Sequence, residues 1–393
     1  MCVDDQEALQ KTIFTLLDKK IYIAFCIMFC KTIMGITKMK ISNILFQKVK
    51  FKLHNPFKIA LGSTETCESI IVKIETDEGI YGFGESCPFQ HVTGETIDTV
   101  EVILKEIKKI LIGEDPLLIG KIHCIMDEYI KENSSAKAGI DIALFDIIGK
   151  AYGQPVYRLL GGCKSKFETD ITIGINEPKI MLEKALQYVK AGYRQLKIKV
   201  GLDFGKELRA LEEIRNSLPK NVDIKVDANQ GWNINETINN ITQLEKINIR
   251  VVEQPIKSWN IDGLAYIRQK VKANIMADES VHSPNDTIKL IKCEAADLIN
   301  IKLMKSGGIY PALKINTIAE SNNINCMVGC MTETKIAINA AAHLVASQKN
   351  ITMADLDSWT FINKSKNIKG GFTFHQGMII LDDKPGLGVE VDM

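Results

Sequence analysis

The sequence predicts an α/β fold, a barrel of repeated β–α units preceded by a smaller α+β domain. Three observations predict it. From residue 168 onward, short β-rich runs alternate with amphipathic helical runs. From Met39 to about residue 160 the texture differs, with strands first and helices after. Charged residues recur at the ends of the β-rich runs, in step with the repeat.

Residues 1–38 read unlike the rest. The apolar run Ile21–Cys30 lies between Lys19-Lys20 and Lys31. It is too short for a membrane span, which needs about 20 apolar residues. A signal peptide starts basic and ends in small residues, whereas Asp4, Asp5, Glu7 and Asp18 occupy this start. The segment is expected to be a loosely attached extension, or the product of a start codon assigned too early. Function is expected to begin at Met39.

Residues 39–160 form the expected α+β domain. MKISNILFQKVKFKL opens it as a strand-like run. Ser69–Glu85 gives two strands about a turn at Asp77-Glu78-Gly79, a hairpin signal. Gly82-Phe83-Gly84-Glu85 is part of that hairpin and no dinucleotide fingerprint, since neither a helix nor a third glycine follows. Ile97–Leu111 and Ala136–Tyr152 carry apolar residues at helical spacing.

The barrel strands read ITIGI (171–175), QLKIKV (195–200), DIKVDA (223–228), RVVEQ (250–254), ANIMAD (273–278), LINIKL (298–303) and INCMVG (324–329). Helical runs such as Pro178–Ala191, Gly205–Leu218 and Lys335–Ala346 follow nearly all of them. Repeated β-then-α units imply a parallel sheet, and with this many repeats closure into a barrel is economical.

Composition bounds the function. The chain has 393 residues, 49 Lys+Arg against 48 Asp+Glu, and a net charge of +1. That balance gives no electrostatic footprint for nucleic acid. The ten cysteines form no Cys-x-x-Cys pair, so reduced thiols in a cytoplasmic enzyme are expected. No membrane partner is expected. A phosphate loop, a His-Glu-x-x-His pair and a Gly-x-Ser-x-Gly elbow are all missing from the sequence.

The charged residues at the strand ends are Lys199, Asp227, Glu253, Asp278 and Lys302, then Asp355 two units later. A lone aspartate there is usually a helix cap, but six in step are hard to explain as capping. Active sites of such barrels are built from the C-terminal strand ends. Three converging carboxylates repel one another, and a hard divalent cation resolves this, with oxygen ligands favouring Mg²⁺ or Mn²⁺. Lys199 lies one strand before the carboxylates and Lys302 one strand after. Lys197 and Lys199 share a face by the strand period of two. The set suits removal of a proton next to a metal-bound carboxylate. Cationic surroundings are expected to lower a lysine's pKa towards neutrality. With a lysine on each face of the α-carbon, the outcome is inversion.

These residues resemble the enolase superfamily, in its muconate-lactonizing-enzyme subgroup. The resemblance covers residues 39–393. It rests on Lys197-x-Lys199, Asp227-Ala-Asn229, Glu253-Gln254-Pro255, Ala277-Asp278-Glu279-Ser280, Asn300-Ile-Lys302 and Pro385-Gly-Leu-Gly388. It implies a (β/α)₇β modified TIM barrel over residues 161–365, beneath the 39–160 cap. Residues 366–393 would return to the cap. One Mg²⁺ would be bound by Asp227, Glu253 and Asp278, with Lys199 and Lys302 as acid/base residues and Lys197 at the substrate carboxylate. The use of a lysine base with Mg²⁺ in this superfamily is general knowledge.

Asp355-Leu356-Asp357 looks like the signature of dipeptide epimerases within that subgroup, where it holds the substrate α-ammonium. Read alone, it could be a solvated turn or a cap before Ser358-Trp359. By the same resemblance Thr172, Cys330 and Thr332 contact the dipeptide. The stretch Phe57–Leu61 is similar to Ala-Glu epimerases, which carry an arginine next; here that residue is Gly62. Without that guanidinium the second residue of an Ala-Xaa dipeptide is expected to be small, uncharged or apolar, as in the cell-wall dipeptide D-Ala-D-Ala. Lys58 is the one candidate substitute, and the loop Cys87–Thr93 is expected to close over the site. The alternatives are an L-Ala-D/L-Glu epimerase, a lyase or cycloisomerase of the o-succinylbenzoate synthase or muconate cycloisomerase type, and a non-catalytic binding protein. A homo-oligomer is expected, without a diagnostic interface.

Overall fold

The computed structural model describes residues 39–362 and 367–393. The expectations for residues 1–38, and the boundary drawn at residues 365 and 366, lie outside the described residues.

The chain opens with an antiparallel sheet, β1 (Ile41–Ile59), β2 (Gly62–Thr76) and β3 (Tyr81–Ser86), in that order. The β1–β2 hairpin escaped the sequence reading, because its turn at Ala60-Leu61 lacks the usual turn residues. Gly62 closes it, paired with Ile59 and at φ 145°, a backbone region that favours glycine. Helices Ile97–Leu111, Ile119–Tyr129 and Ser134–Ala151 follow. The last docks on β3 through small residues. A Cβ at Gly82 would lie 2.1 Å from the Ala143 carbonyl oxygen, and one at Gly84 2.0 Å from that of Gly139. The two glycines therefore sit within a strand, where they permit close backbone approach.

The short strand β4 (Lys166–Glu168) leads into eight parallel strands. They are β5 (Ile171–Ile173), β6 (Gln195–Lys199), β7 (Asp223–Asp227), β8 (Val251–Glu253), β9 (Asn274–Ala277), β10 (Leu298–Ile301), β11 (Asn325–Val328) and β12 (Ile351–Ala354). They neighbour one another in sequence order. The ring closes where Asp170 N–H donates to the Ala354 carbonyl at 3.0 Å and Leu356 N–H to Thr169 Oγ1 at 2.9 Å. Long helices occupy the connections, for example Pro178–Lys190, Phe204–Ser217 and Lys335–Ser347. Several helix starts are capped: Asn233 and Ser283 form capping boxes ahead of Ile234–Lys246 and Pro284–Lys292, and Asp203 accepts from Lys206 N–H. The fold is thus the α/β barrel with a cap that the repeats imply.

Two buried carboxylates lock cap to barrel. Glu85 of β3 accepts from Thr334 N–H at 2.9 Å, Thr334 Oγ1 at 2.6 Å and Ala337 N–H at 3.1 Å. It therefore sits on the first turn of helix Lys335–Ser347, where free N–H groups favour an anion. Asp141 accepts from Tyr310 N–H at 3.2 Å and bonds His123 Nε2 at 2.8 Å. The C-terminal stretch lies against the cap, with Leu387 N–H donating to Asp146 Oδ1 at 2.8 Å. Among the described residues no helix is long and apolar enough to cross a membrane.

Candidate active site

The strand period and the barrel's register bring the charged residues to one end. Lys199, Asp227 and Glu253 close β6, β7 and β8, while Asp278 and Lys302 directly follow β9 and β10. In the ladders Lys199 pairs with Asp227, and Asp227 with Glu253. Lys197 lies two residues before Lys199 and shares its inward face. Asp355 and Asp357 come just past β12, beside Thr172 of β5. All of these side chains are buried.

Asp227, Glu253 and Asp278 each offer an oxygen, and the three atoms lie within 4.8 Å of one another. Lys199 Nζ donates to Asp227 Oδ2 at 2.6 Å and to Asn229 Oδ1 at 3.0 Å. Lys302 Nζ donates to Asp278 Oδ2 at 2.7 Å. Lys197 Nζ reaches Asp227 at 3.0 Å, Glu253 at 2.9 Å and Asp355 at 2.7 Å. Asp355 thus already holds a cationic partner from the protein. Asp357 accepts from Thr172 N–H at 2.6 Å, and Thr172 Oγ1 lies 3.4 Å from Asp355 Oδ1.

The electrostatics follow from this pairing. Burial opposes the charge on Asp278, but Lys302 and Lys305 outweigh it and hold the carboxyl well below the usual range. Glu253 is pushed up to about 7 by burial and then by Asp227. Asp357 rises to about 6 through burial and then Asp355. Burial lowers Lys302, yet Asp278 prevails and raises it above the ordinary lysine value. Among the protein's own charges the expected lowering is not seen, because the Asp278 carboxylate is the nearest charged neighbour of Lys302. Burial, then Asp357, pushes the Cys330 thiol well up, so it is a neutral contact group.

A cavity of about 440 Å³ opens above this floor, between barrel and cap. Lys197, Lys199, Lys302, Thr172, Asp355 and Asp357 line it, as do Cys330 and Thr332 after β11. Gly62 and residues 87–92 of the Cys87–Thr93 loop line its cap side. Lys58 does not line it; it lines a neighbouring cavity instead. The expectation that Lys58 stands in for the missing arginine therefore has no support in this geometry. The hairpin register explains why, since Lys58 faces Ser63 across the turn and its carbonyl accepts from Ile175 N–H at 2.9 Å.

Sequence reasoning missed several supporting contacts. Asn300 Nδ2 donates to Glu253 Oε1 at 2.8 Å. Lys305 Nζ donates to Asp278 Oδ1 at 2.6 Å. Lys225, also inward on β7, pairs with the buried Asp170. Its signal was available, because Lys225 lies two residues before Asp227 and so shares its face.

The chain matches two family models. The mandelate racemase / muconate lactonizing enzyme N-terminal domain covers residues 41–161, and the enolase C-terminal domain-like model covers residues 181–393. The chain belongs to the enolase superfamily. It is 42% identical over 355 residues to the L-Ala-D/L-Glu epimerase of Clostridium acetobutylicum, covering 90% of this chain and 99% of the relative. It is 43% identical over 353 residues to the hydrophobic dipeptide epimerase of Enterococcus faecalis, covering 89% of this chain and 99% of the relative. A solved dipeptide epimerase of Enterococcus faecalis V583, complexed with Mg and L-Leu-L-Tyr, superposes with a TM-score of 0.87 at 42% identity. That match spans 89% of this chain and 99% of the other. Such relatives are named epimerases and racemases, and this superfamily member is accordingly an isomerase.

Proposed function

We propose that this isomerase is a dipeptide epimerase that inverts the α-carbon of the C-terminal residue of Ala-Xaa dipeptides. The carrying observation is that Lys199 and Lys302 enter one cavity from opposite sides. Their strands, β6 and β10, stand four places apart in a ring of eight. The α-carbon lies between them in this reading. One lysine enters as the free amine and takes the α-proton. The other enters as the ammonium and returns a proton to the opposite face. One C–H bond breaks, another forms, and the configuration inverts.

Asp227, Glu253 and Asp278 would hold the metal. Their fit to Mg²⁺ rests on an all-oxygen donor set and on three buried carboxylates whose oxygens lie within 4.8 Å of one another. Mg²⁺, when bound, supplies the positive charge that stabilises the anion left by proton removal. Lys197 steadies the substrate carboxylate. Asp355 and Asp357 hold the α-ammonium, a cation that relieves their mutual repulsion. Thr172, Cys330 and Thr332 line the dipeptide's path. Apolar cap residues such as Leu61, Phe89 and Val92 line the cavity. With Gly62 in place of a guanidinium, they favour a small, uncharged or apolar second residue. An L-Ala-D/L-Glu preference is the competing specificity, favoured by the name of the Clostridium relative.

A dipeptide library incubated in deuterated water with Mg²⁺, read by mass spectrometry and chiral analysis, tests this. Exchange with inversion and no elimination product is expected, and among Ala-Xaa substrates it is expected to be strongest for Ala-Ala and Ala-Val. A strong preference for Ala-Glu would overturn the specificity. An eliminated or cyclised product would overturn the reaction.

A further inference from the structure

A second cavity of about 190 Å³ abuts the first and shares Phe57, Thr172 and Phe361 with it. Phe57 and Phe361 stack with ring centroids 5.4 Å apart and 24° between planes, and this pair forms the partition. One wall is the end of β1, residues 54–58, which lies against the end of β5. A Cβ at Gly174 would lie 3.1 Å from the Lys58 carbonyl oxygen, so a glycine there permits the hairpin to sit so close. The side cavity has a distinct charge character. Lys58, Lys184 and His54 line it together with neutral polar groups such as Asn176 and Gln187, and among the described residues no Asp or Glu does.

We propose that this side cavity receives the side chain of the dipeptide's N-terminal residue, and that Lys58 and Lys184 make it favour an acidic one. The inference rests on the reading of Asp355 and Asp357 as the ammonium clamp. Both aspartates contact Thr172, with Asp357 bonded to its N–H at 2.6 Å and Asp355 3.4 Å from its hydroxyl. Thr172 lines both cavities. An α-ammonium held there is one bond from its α-carbon, so the first side chain starts at the junction. From there it extends either back into the main cavity, which the rest of the dipeptide occupies in this reading, or into the side cavity. A carboxylate there lies among the side chains of Lys58 and Lys184, while Lys197 already pairs with Asp355 at 2.7 Å. Its pairing with lysines near the surface is modest and screened by salt.

The test compares kcat/KM for Glu-Ala, Gln-Ala and Ala-Ala in Mg²⁺ buffer, since Gln matches Glu in shape without charge. Glu-Ala is expected to exceed Gln-Ala by about fivefold at low salt, with the ratio falling as ionic strength rises. K184M is expected to bring that ratio towards one, and K184R to restore it. A Glu-Ala to Gln-Ala ratio of one or less, with Ala-Ala turned over, would overturn the proposal alone. No exchange with any of the three, nor with other Ala-Xaa dipeptides, would overturn the dipeptide reading and this one with it.

Discussion

Lys199 and Lys302 each pair with a different carboxylate of the same triad. Lys199 Nζ lies 2.6 Å from Asp227 Oδ2, and Lys302 Nζ lies 2.7 Å from Asp278 Oδ2. The triad therefore spaces the two lysines as well as collecting negative charge. In the proposed reaction each lysine serves one face, so removing one is expected to separate exchange from inversion. K302A is expected to lower epimerisation by about 10²–10⁴-fold, the usual worth of a positioned acid or base. One-sided α-proton exchange through Lys199 persists, because Lys305 still neutralises Asp278 at 2.6 Å. Deuterium incorporation and chiral analysis on one sample measure both. Unchanged epimerisation would sink the two-base assignment.

Three buried carboxylates stabilise the fold better with a cation than without one. Mg²⁺ at about 100 times its Kd is expected to add about 2.7 kcal/mol by mass action. A chelator reverses that gain and abolishes exchange. Thermal melts with and without Mg²⁺ check the first point, and exchange assays the second. D278N is expected to remove the Mg²⁺-dependent rise in Tm, and an unaltered rise would place the ion elsewhere.

The site was legible in sequence wherever a period encodes it. A strand alternates faces, so Lys197 and Lys199 had to point together. The repeat length set Asp227, Glu253 and Asp278 at successive strand ends. What stayed illegible depends on contacts between distant segments. The Lys225–Asp170 pair joins β7 to the loop before β5, and no local pattern announces that. Lys305 sits in the turn Leu303–Ser306, just past the run read as a strand. Gly62 carries two separate constraints. The missing side chain bears on specificity, and its φ of 145° adds a backbone reason for glycine that no sequence pattern announces.

Glu333 gives the stability a pH dependence separate from the proposed metal ligands. Burial is the main cause that pushes its carboxyl up to about 8, and Oε2 has no hydrogen-bond partner. The native state therefore keeps a proton that the unfolded chain loses near pH 4.5. Stability from this group falls as pH rises from the unfolded value through about 8 and is flat beyond. The loss is on the order of a few kcal/mol. E333Q is expected to flatten that limb, measured as urea midpoints from pH 5 to 9. A slope identical to that of the unmutated protein would refute the assignment.

Docking of the cap depends on the absence of a methyl group at Gly84. G84A would set a Cβ against the Gly139 carbonyl and force β3 away from helix Ser134–Ala151. Overpacking of this kind costs about 1–3 kcal/mol. Because Glu85 is the next residue and ties β3 to Thr334 and Ala337, the displacement reaches the cap–barrel lock. Lower Tm and a raised KM are the expected results. A variant with unchanged Tm would show that the strand can shift freely.

The last prediction puts the residue at the hairpin turn on trial. Gly62 lines the cavity, and a Cβ built on it meets nothing within 4 Å. An arginine there has room and would direct a guanidinium towards the substrate's second residue, where it can hold a carboxylate in a bidentate pair. Its φ of 145° makes any side chain strained, at about 1–3 kcal/mol. G62R is therefore expected to lower Tm by several degrees while raising kcat/KM for Ala-Glu relative to Ala-Ala by about tenfold or more. G62A separates the two effects, since it carries the strain without the charge and leaves the ratio near its original value. If G62R and G62A gave the same ratio, specificity for the second residue would lie elsewhere in the cap, with the Cys87–Thr93 loop the next place to mutate.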